Sequence, residues 1–286
     1  MKRSRFPGCV TVLLLALASA ASAQPPSGAN SEGASAQGVQ REKRPPESMT
    51  VADITTCMRA NVVDRGSLRE IEMVSVDREG NSRKLRMKLF WKPAKDTGAL
   101  RSVVRVVEPA AYAGGAYLAI TKPEGDEVYL YIPALDRVRR IVGDQDRSLF
   151  GTDFTHSDVE QFQAILEAGE TKRLADATVA DRTTFVLEVA TNVDATGYTA
   201  IKSYVDQATC TLLKSEFFIS GTGPRKVLEA DLSTLISAGP YWLILGYAMR
   251  DLGAGTRTNL SLSDVYLREQ LPETMFDPAT FYSVTP

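Results

Sequence analysis

The sequence is poor in the side chains that most often carry enzyme chemistry. Among its 286 residues it has one histidine, His156, and three cysteines. One histidine and widely separated cysteines leave no zinc-ligand spacing. There is no glycine-rich phosphate loop and no G-x-S-x-G elbow; "YAGGAY" holds two glycines without the required spacing. No nucleophile–base set is visible, so a hydrolase is the least supported class. No catalytic residue, metal or cofactor is expected. The chain also lacks an excess of positive charge: 33 Lys and Arg face 35 Asp and Glu, a net charge of −2. Nucleic-acid binders reward basic patches, so nucleic acid is not an expected partner. Nor is there a long apolar run. The longest, "VTVLLLALASA", is too short to span a bilayer comfortably.

That short run has a different meaning. Lys2, Arg3 and Arg5 precede it and the small residues "ASA" close it at Ala23. This is the three-part pattern of a secretory signal peptide, expected to cover residues 1–23. Cys9 lies within it, but "FPGC" is not a lipoprotein box, so no lipid anchor is expected. Removal of this segment takes three basic residues and no acid, which leaves the remaining chain mildly acidic. Residues 24–48 are rich in Gly, Ser, Ala, Gln and Pro without any apolar period, and are expected to be a flexible linker. Residues 49–286 are then a single domain. Cys57 and Cys210 remain in it. The sequence leaves open whether they form one disulfide or stay two separate buried thiols.

Order should begin with a helix. Thr50 is placed as an N-cap with Asp53 three residues on, and Val51, Ile54, Met58 and Val62 recur at helical spacing. The period then changes to two. In "RKLRMKLFWK", Leu85, Met87, Leu89 and Trp91 alternate with Lys84, Arg86, Lys88 and Lys92. "EIEMVSV" sets Ile71 and Met73 against Glu70 and Glu72, and "RSVVRVV" sets Val104 and Val106 against Arg101 and Arg105. Alternation of this kind marks strands with one wet face. Nine further segments read as strands, separated by turn signals. About a dozen such strands must curl around something. The expected fold class is α+β, mainly antiparallel β: an open, unclosed barrel with helices plugging its concave side. Its apolar lining is expected to include Ile71, Met73, Leu85, Met87, Leu89, Trp91, Val104 and Val106. Leu118, Ile120, Leu130 and Ile132 extend it on the next two strands. Met58, Met73 and Met87 would suit an adaptable lining.

The histidine sits in "SLFGTDFTHSDVE", beside Ser157 and Asp158. Adjacent residues point in different directions, so these three make no triad. Ser157 and Glu160 have the spacing of a capping box for a helix running to Gly169. In "DRVRRIV", Arg140 alternates onto the face of Val138 and Val142. An inward arginine needs a partner. Asp153 or Asp158 is expected to supply it, as a latch between sheet and lid.

Three blocks carry a resemblance. "EPAAYAGGAYLAI", "VYLYIPALDRVRRIVGDQDRSLFGTDFTHSDVE" and "MRDLGAGTRTNLSLSDVYLREQLPETMFDPATF" resemble the LolA-like outer-membrane lipoprotein-sorting proteins of Gram-negative bacteria, over about Val51 to Phe281. The middle block is the most specific, although "LFGTDFTH" departs from the family, which more often has Met between Phe and Gly. The resemblance implies an unclosed barrel of the LolA/LolB kind with a helical lid and a cavity for acyl chains. It implies a periplasmic, monomeric carrier of lipid or lipoprotein that touches membranes transiently. It also implies an RND-type (MMPL-like) inner-membrane exporter as partner. The other reading is a periplasmic accessory subunit of an exporter that binds no lipid.

Overall fold

The computed structural model describes residues 45–284 apart from 62–66, 94–99, 122–126, 142–147, 156–157, 159–170, 192–196, 221–222 and 268–270. The expected signal peptide and most of the linker lie outside the described residues. So does the expected helix to Gly169, apart from Asp158.

One helix, α1 (Val51–Arg59), opens the domain. Thr50 caps it as expected. Its hydroxyl accepts from the Asp53 amide at 3.2 Å, and the Asp53 carboxylate accepts from the Thr50 amide at 2.9 Å. Six strands follow: β1 (Ser67–Val76), β2 (Ser82–Pro93), β3 (Leu100–Glu108), β4 (Ala116–Thr121), β5 (Glu127–Ile132) and β6 (Arg137–Ile141). The second half supplies β7 (Thr171–Val179), β8 (Arg182–Ala190), β9 (Ala200–Asp206), β10 (Leu212–Phe218) and β11 (Lys226–Ala230). After these come the hairpin β12 (Leu235–Ala238) and β13 (Tyr241–Ile244), then β14 (Gly246–Asp251) and β15 (Thr256–Leu267).

All strands but β12 and β13 form one thirteen-stranded sheet in the order β6-β5-β4-β3-β2-β1-β15-β14-β11-β10-β9-β8-β7. Every neighbouring pair is antiparallel. β6 and β7 end the order and do not pair, so the sheet is unclosed.

Both faces of the first half are covered, by different parts of the chain. On one face Ile71, Met73, Leu85, Met87, Leu89, Val104 and Val106 pack in a single cluster with Ile54 and Met58 of α1. Phe154, Leu243 and Ile244 join the same cluster. Burying two such helix side chains contributes on the order of 3–6 kcal/mol. The opposite face of β1–β5 carries a second cluster, with Phe90, Val103, Ala116, Leu118 and Ile120 under Leu271, Met275, Phe276 and Phe281 of the C-terminal tail. Three cations fasten that tail. Lys92 and Arg101 pair with Glu273 at 2.5 and 2.6 Å, and the Arg105 guanidinium donates to the Phe281 carbonyl.

Cys57 and Cys210 form a disulfide with Cα atoms 5.8 Å apart. It ties the last turn of α1 to the turn between β9 and β10. Asn61 adds two bonds there: its amide donates to the Thr209 carbonyl at 2.8 Å, and its carbonyl accepts from the Trp242 amide at 2.9 Å. The same turn is organised by Asp206, which accepts from Arg182 at 2.6 and 2.9 Å and from the Thr209 amide at 2.9 Å. Burial pushes the Asp206 pKa up, but the bonds from Arg182 and Thr209 outweigh it, and the net shift is below the usual 3.8. A carboxylate of this kind stabilises the fold fully above its unfolded pKa, and that contribution is lost as pH falls through the lower folded value. Asp206→Asn is therefore expected to lower the melting temperature at pH 7 and to flatten its decline below pH 4. An unchanged acid limb would show that another carboxylate sets it.

Candidate functional site

The residues expected to line a cavity divide between the two faces. Those of β1, β2 and β3 share the face covered by α1, because alternate residues of a strand share a face and register partners lie side by side. Trp91 is buried at the end of the same stripe, opposite Ser67. Leu130 pairs with Tyr117, which packs against the α1 cluster, so Leu130 and Ile132 extend this face toward the β6 edge.

Leu118 and Ile120 do not belong there. Leu118 pairs with Val103, and both lie in the tail cluster. The "AYLAIT" strand is apolar on both faces because both are covered, so its sequence carried no sign of which residues face α1.

Residues 148–155 form a strap across the α1 face. The Leu149 amide donates to the Phe154 carbonyl at 2.7 Å, and Ser148 Oγ donates to the Thr152 carbonyl at 2.6 Å. Phe154 enters the core and is 1% exposed. Arg83 of β2 donates to the carbonyls of Phe150 and Gly151. Gly151 has φ +72°, and a Cβ there would meet the Arg83 guanidinium at 2.5 Å. The glycine of "LFGTDF" is thus required by both its backbone angle and the arginine laid against it. Asp153 accepts from the hydroxyls of Thr256 and Thr258 in β15, the latter at 2.6 Å, and its amide donates to Thr258 at 3.0 Å.

Asp158 is fully buried. Its carboxylate accepts from Tyr198 Oη at 2.5 Å, Lys226 Nζ at 2.9 Å and the Thr155 amide at 2.8 Å. Lys226 Nζ also donates to the Asp153 carbonyl at 2.9 Å. The Asp158 amide returns a bond to Thr155 Oγ1 at 3.2 Å. The reciprocal capping pair among the described residues is therefore Thr155 with Asp158. The expected Ser157–Glu160 pair, like His156, lies outside the described residues.

The latch to Arg140 is not formed. Arg140 shares the face of Val138, but that face is the tail side of the sheet, not the α1 side. Arg140 pairs across the register with Tyr129, stays exposed, and lies 3.6 Å from Glu127. Asp153 and Asp158 are satisfied by Thr256, Thr258 and Lys226. The cation that holds the strap was missed because it sits 68 residues from Asp158 in a strand with no unusual pattern. Sequence alone left a second buried cation unremarked. Arg69 of β1 is fully buried opposite Leu89, and burial pushes its guanidinium down to about 9.

Among the described residues no group of three or more His, Cys, Asp or Glu is placed to hold a metal. None of the described helices is long and apolar enough to cross a membrane.

A large unclosed antiparallel sheet with one helix matches the LolA-like fold of solved structures. A putative outer membrane lipoprotein-sorting protein domain from Vibrio parahaemolyticus is 24% identical, with a TM-score of 0.71 over 81% of this chain and 97% of that one. A DUF1329 family protein from Desulfovibrio piger is 20% identical, with a TM-score of 0.70 over 79% and 95%. A LolA superfamily protein from Nitrosomonas europaea is 19% identical, with a TM-score of 0.61 over 80% and 98%. At these identities the likeness is one of fold. No curated protein matches the sequence. A family model described as "-like: Uncharacterized protein" matches residues 98–282, more than half of the chain, and the protein belongs to that family.

Proposed function

We propose that the protein is a periplasmic carrier that takes acyl chains of a lipid or lipoprotein against the α1 face of its sheet and shuttles them between inner and outer membrane. One observation carries this reading. The apolar face is continuous across β1, β2 and β3, and its covers come from separate parts of the chain: α1, the strap and the β12–β13 hairpin. A face covered by detachable pieces can exchange its own side chains for those of a guest. The fold likeness to a putative lipoprotein-sorting domain supports the same reading.

Ile71, Met73, Leu85, Met87, Leu89, Val104 and Val106 are the proposed contacts, with Trp91, Leu130 and Ile132 at the margins. Each buried methylene of a guest contributes roughly 0.8 kcal/mol. Three chains bound to a vacant face would never leave, so displacement of self-contacts is what makes the transfer reversible. α1 is anchored by the disulfide and by Asn61. The strap, held by Asp158, Asp153 and Arg83, is the cover that yields. An RND-type (MMPL-like) exporter as the inner-membrane partner, export through residues 1–23 and a monomeric state belong to the same proposal.

The accessory-subunit reading has one observation in its favour. Leu89, Ile71, Ile54 and Phe154 are each no more than 1% exposed, so the face is filled by the protein's own side chains. Detergent-free purification followed by lipid mass spectrometry separates the two. Acyl lipids are expected to co-purify, and Phe154→Ala, which removes the strap's deepest side chain, should retain more of them. Lipid-free protein in both cases would leave the accessory reading standing alone.

A further inference from the structure

Among the described residues seven large apolar side chains are exposed, and five of them lie at one end of the sheet. The register fixes that end. Val76 pairs with Ser82, Arg105 with Ala116, Ile132 with Arg137, Phe217 with Lys226 and Asp251 with Thr256, so the β1–β2, β3–β4, β5–β6, β10–β11 and β14–β15 connections all emerge there. Single exposed apolar side chains are ordinary on any protein. Five of seven at one rim is a concentration; the other two, Ile236 and Trp242, lie on the β12–β13 hairpin.

The rim is densest at two touching loops. Val107 and Tyr112 flank the β3–β4 connection and are 41% and 42% exposed; Leu135, at the tip of the β5–β6 connection, is 55% exposed. The loops meet where Gly114 packs on the Pro133 ring, since a Cβ there would lie 3.5 Å from Pro133 Cγ. Arg137 and Arg139 lie two and four residues after Leu135, both exposed on the strand that ends the sheet. Among the described residues neither has a carboxylate partner. The neighbouring acids are engaged elsewhere: Asp136 accepts from Tyr131 Oη at 2.9 Å, and Glu108 accepts from Arg86 Nε at 2.7 Å.

We propose that this rim is a bilayer-contact surface for anionic lipid. Tyr112 and Leu135 enter the headgroup layer, and Arg137 and Arg139 meet its phosphates. The chemistry is that of interfacial anchors. An amphipathic ring and an aliphatic tip favour the boundary between headgroups and acyl chains, and arginines beside them favour a negative surface. The rest of the chain is net acidic, so an anionic membrane would orient it with this end down. The inference deepens the carrier reading, on which its purpose rests. It places the strap, pinned by Arg83 at the same end, next to the membrane: the Arg83 guanidinium lies 5.9 Å from the Tyr112 ring centroid.

The test uses residues 24–286, because residues 1–23 hold an apolar run of their own. Co-sedimentation is measured with phosphatidylcholine vesicles and with vesicles containing phosphatidylglycerol. Binding is expected only to the second, and should weaken as salt rises. Arg137→Gln with Arg139→Gln should lower the partition coefficient roughly 25-fold, at about fivefold per arginine. Tyr112→Ser with Leu135→Ser should lower it at least tenfold. All four side chains are exposed, so melting temperatures should not move. Equal binding to both vesicle types, no binding to either, or variants that bind like the parent would each overturn the proposal. Lipid mass spectrometry on the same samples keeps the two ideas apart. Vesicle binding without bound acyl lipid would count against the carrier alone, and bound lipid with indifference to vesicles would count against the rim alone.

Discussion

Asp158→Ala should cost about 3–5 kcal/mol of folding stability and roughly 10 °C in melting temperature. The side chain is fully buried and holds Lys226, which is itself only 6% exposed. Removing the carboxylate leaves that ammonium group without its counter-ion in a low-dielectric site and removes the bond from Tyr198 Oη. The strap loses its strongest tie at the same moment. Two effects should therefore appear together: lower stability, and faster exchange of a fluorescent acyl probe. The double variant Asp158→Leu with Lys226→Met removes both charges, and should recover most of the stability while keeping the faster exchange. Additive losses in a thermal-denaturation cycle would show that the two residues act separately, and that the Asp158–Lys226 pair does not hold the strap.

Opening the Cys57–Cys210 disulfide should have an effect of similar size. The bridge closes a sequence separation of 153 residues, and in the chain-entropy model a loop of that length is worth about 5 kcal/mol. Cys57→Ser with Cys210→Ser, or reduction of the parent, should lower the urea midpoint accordingly. It should also free the end of α1, leaving Asn61 as its tether to the Thr209 turn and to the β12–β13 hairpin. The helix then becomes a second cover able to yield, and bound lipid should rise as stability falls. A reduced protein with an unchanged midpoint would mean that the packing of Ile54 and Met58 and the bonds of Asn61 hold α1 in place without the bridge.

Much of the fold was legible because the strands of its first half alternate cleanly. "RKLRMKLFWK" has Lys or Arg at 84, 86, 88 and 92, broken only by Phe90, and Leu85, Met87 and Leu89 fall on the α1 face together with Ile71 and Met73. The N-cap at Thr50 was legible for the same local reason. Errors came where a local pattern had to be assigned to a distant surface. Alternation set Arg140 beside Val138 correctly, but nothing local says which face of β6 looks at α1. Leu118 and Ile120 were misplaced because a strand covered on both sides has no polar face to mark its orientation. The tail that covers them, "LPETMFDPATFY", has no period at all. The buried carboxylate at Asp158 was singled out by its motif, whereas Lys226 was invisible. Both ends of an ion pair are seldom legible when the sheet itself brings them together.

The position of β15 has a consequence for how the molecule is made. The last strand is the one that joins β1 to β14, in the middle of the sheet. Met73 must wait for Leu260 and Val76 for Arg257. Until β15 has been synthesised, β1–β6 and β7–β14 can form only as two meanders. Each of them then carries an open apolar face and an unpaired strand edge. Contacts of such long range fold slowly, on the scale of milliseconds to seconds, and leave aggregation-prone edges exposed meanwhile. A chain truncated before Thr256 would never close that seam. Its two half-sheets would be substrates for chaperones and proteases rather than a smaller version of the protein.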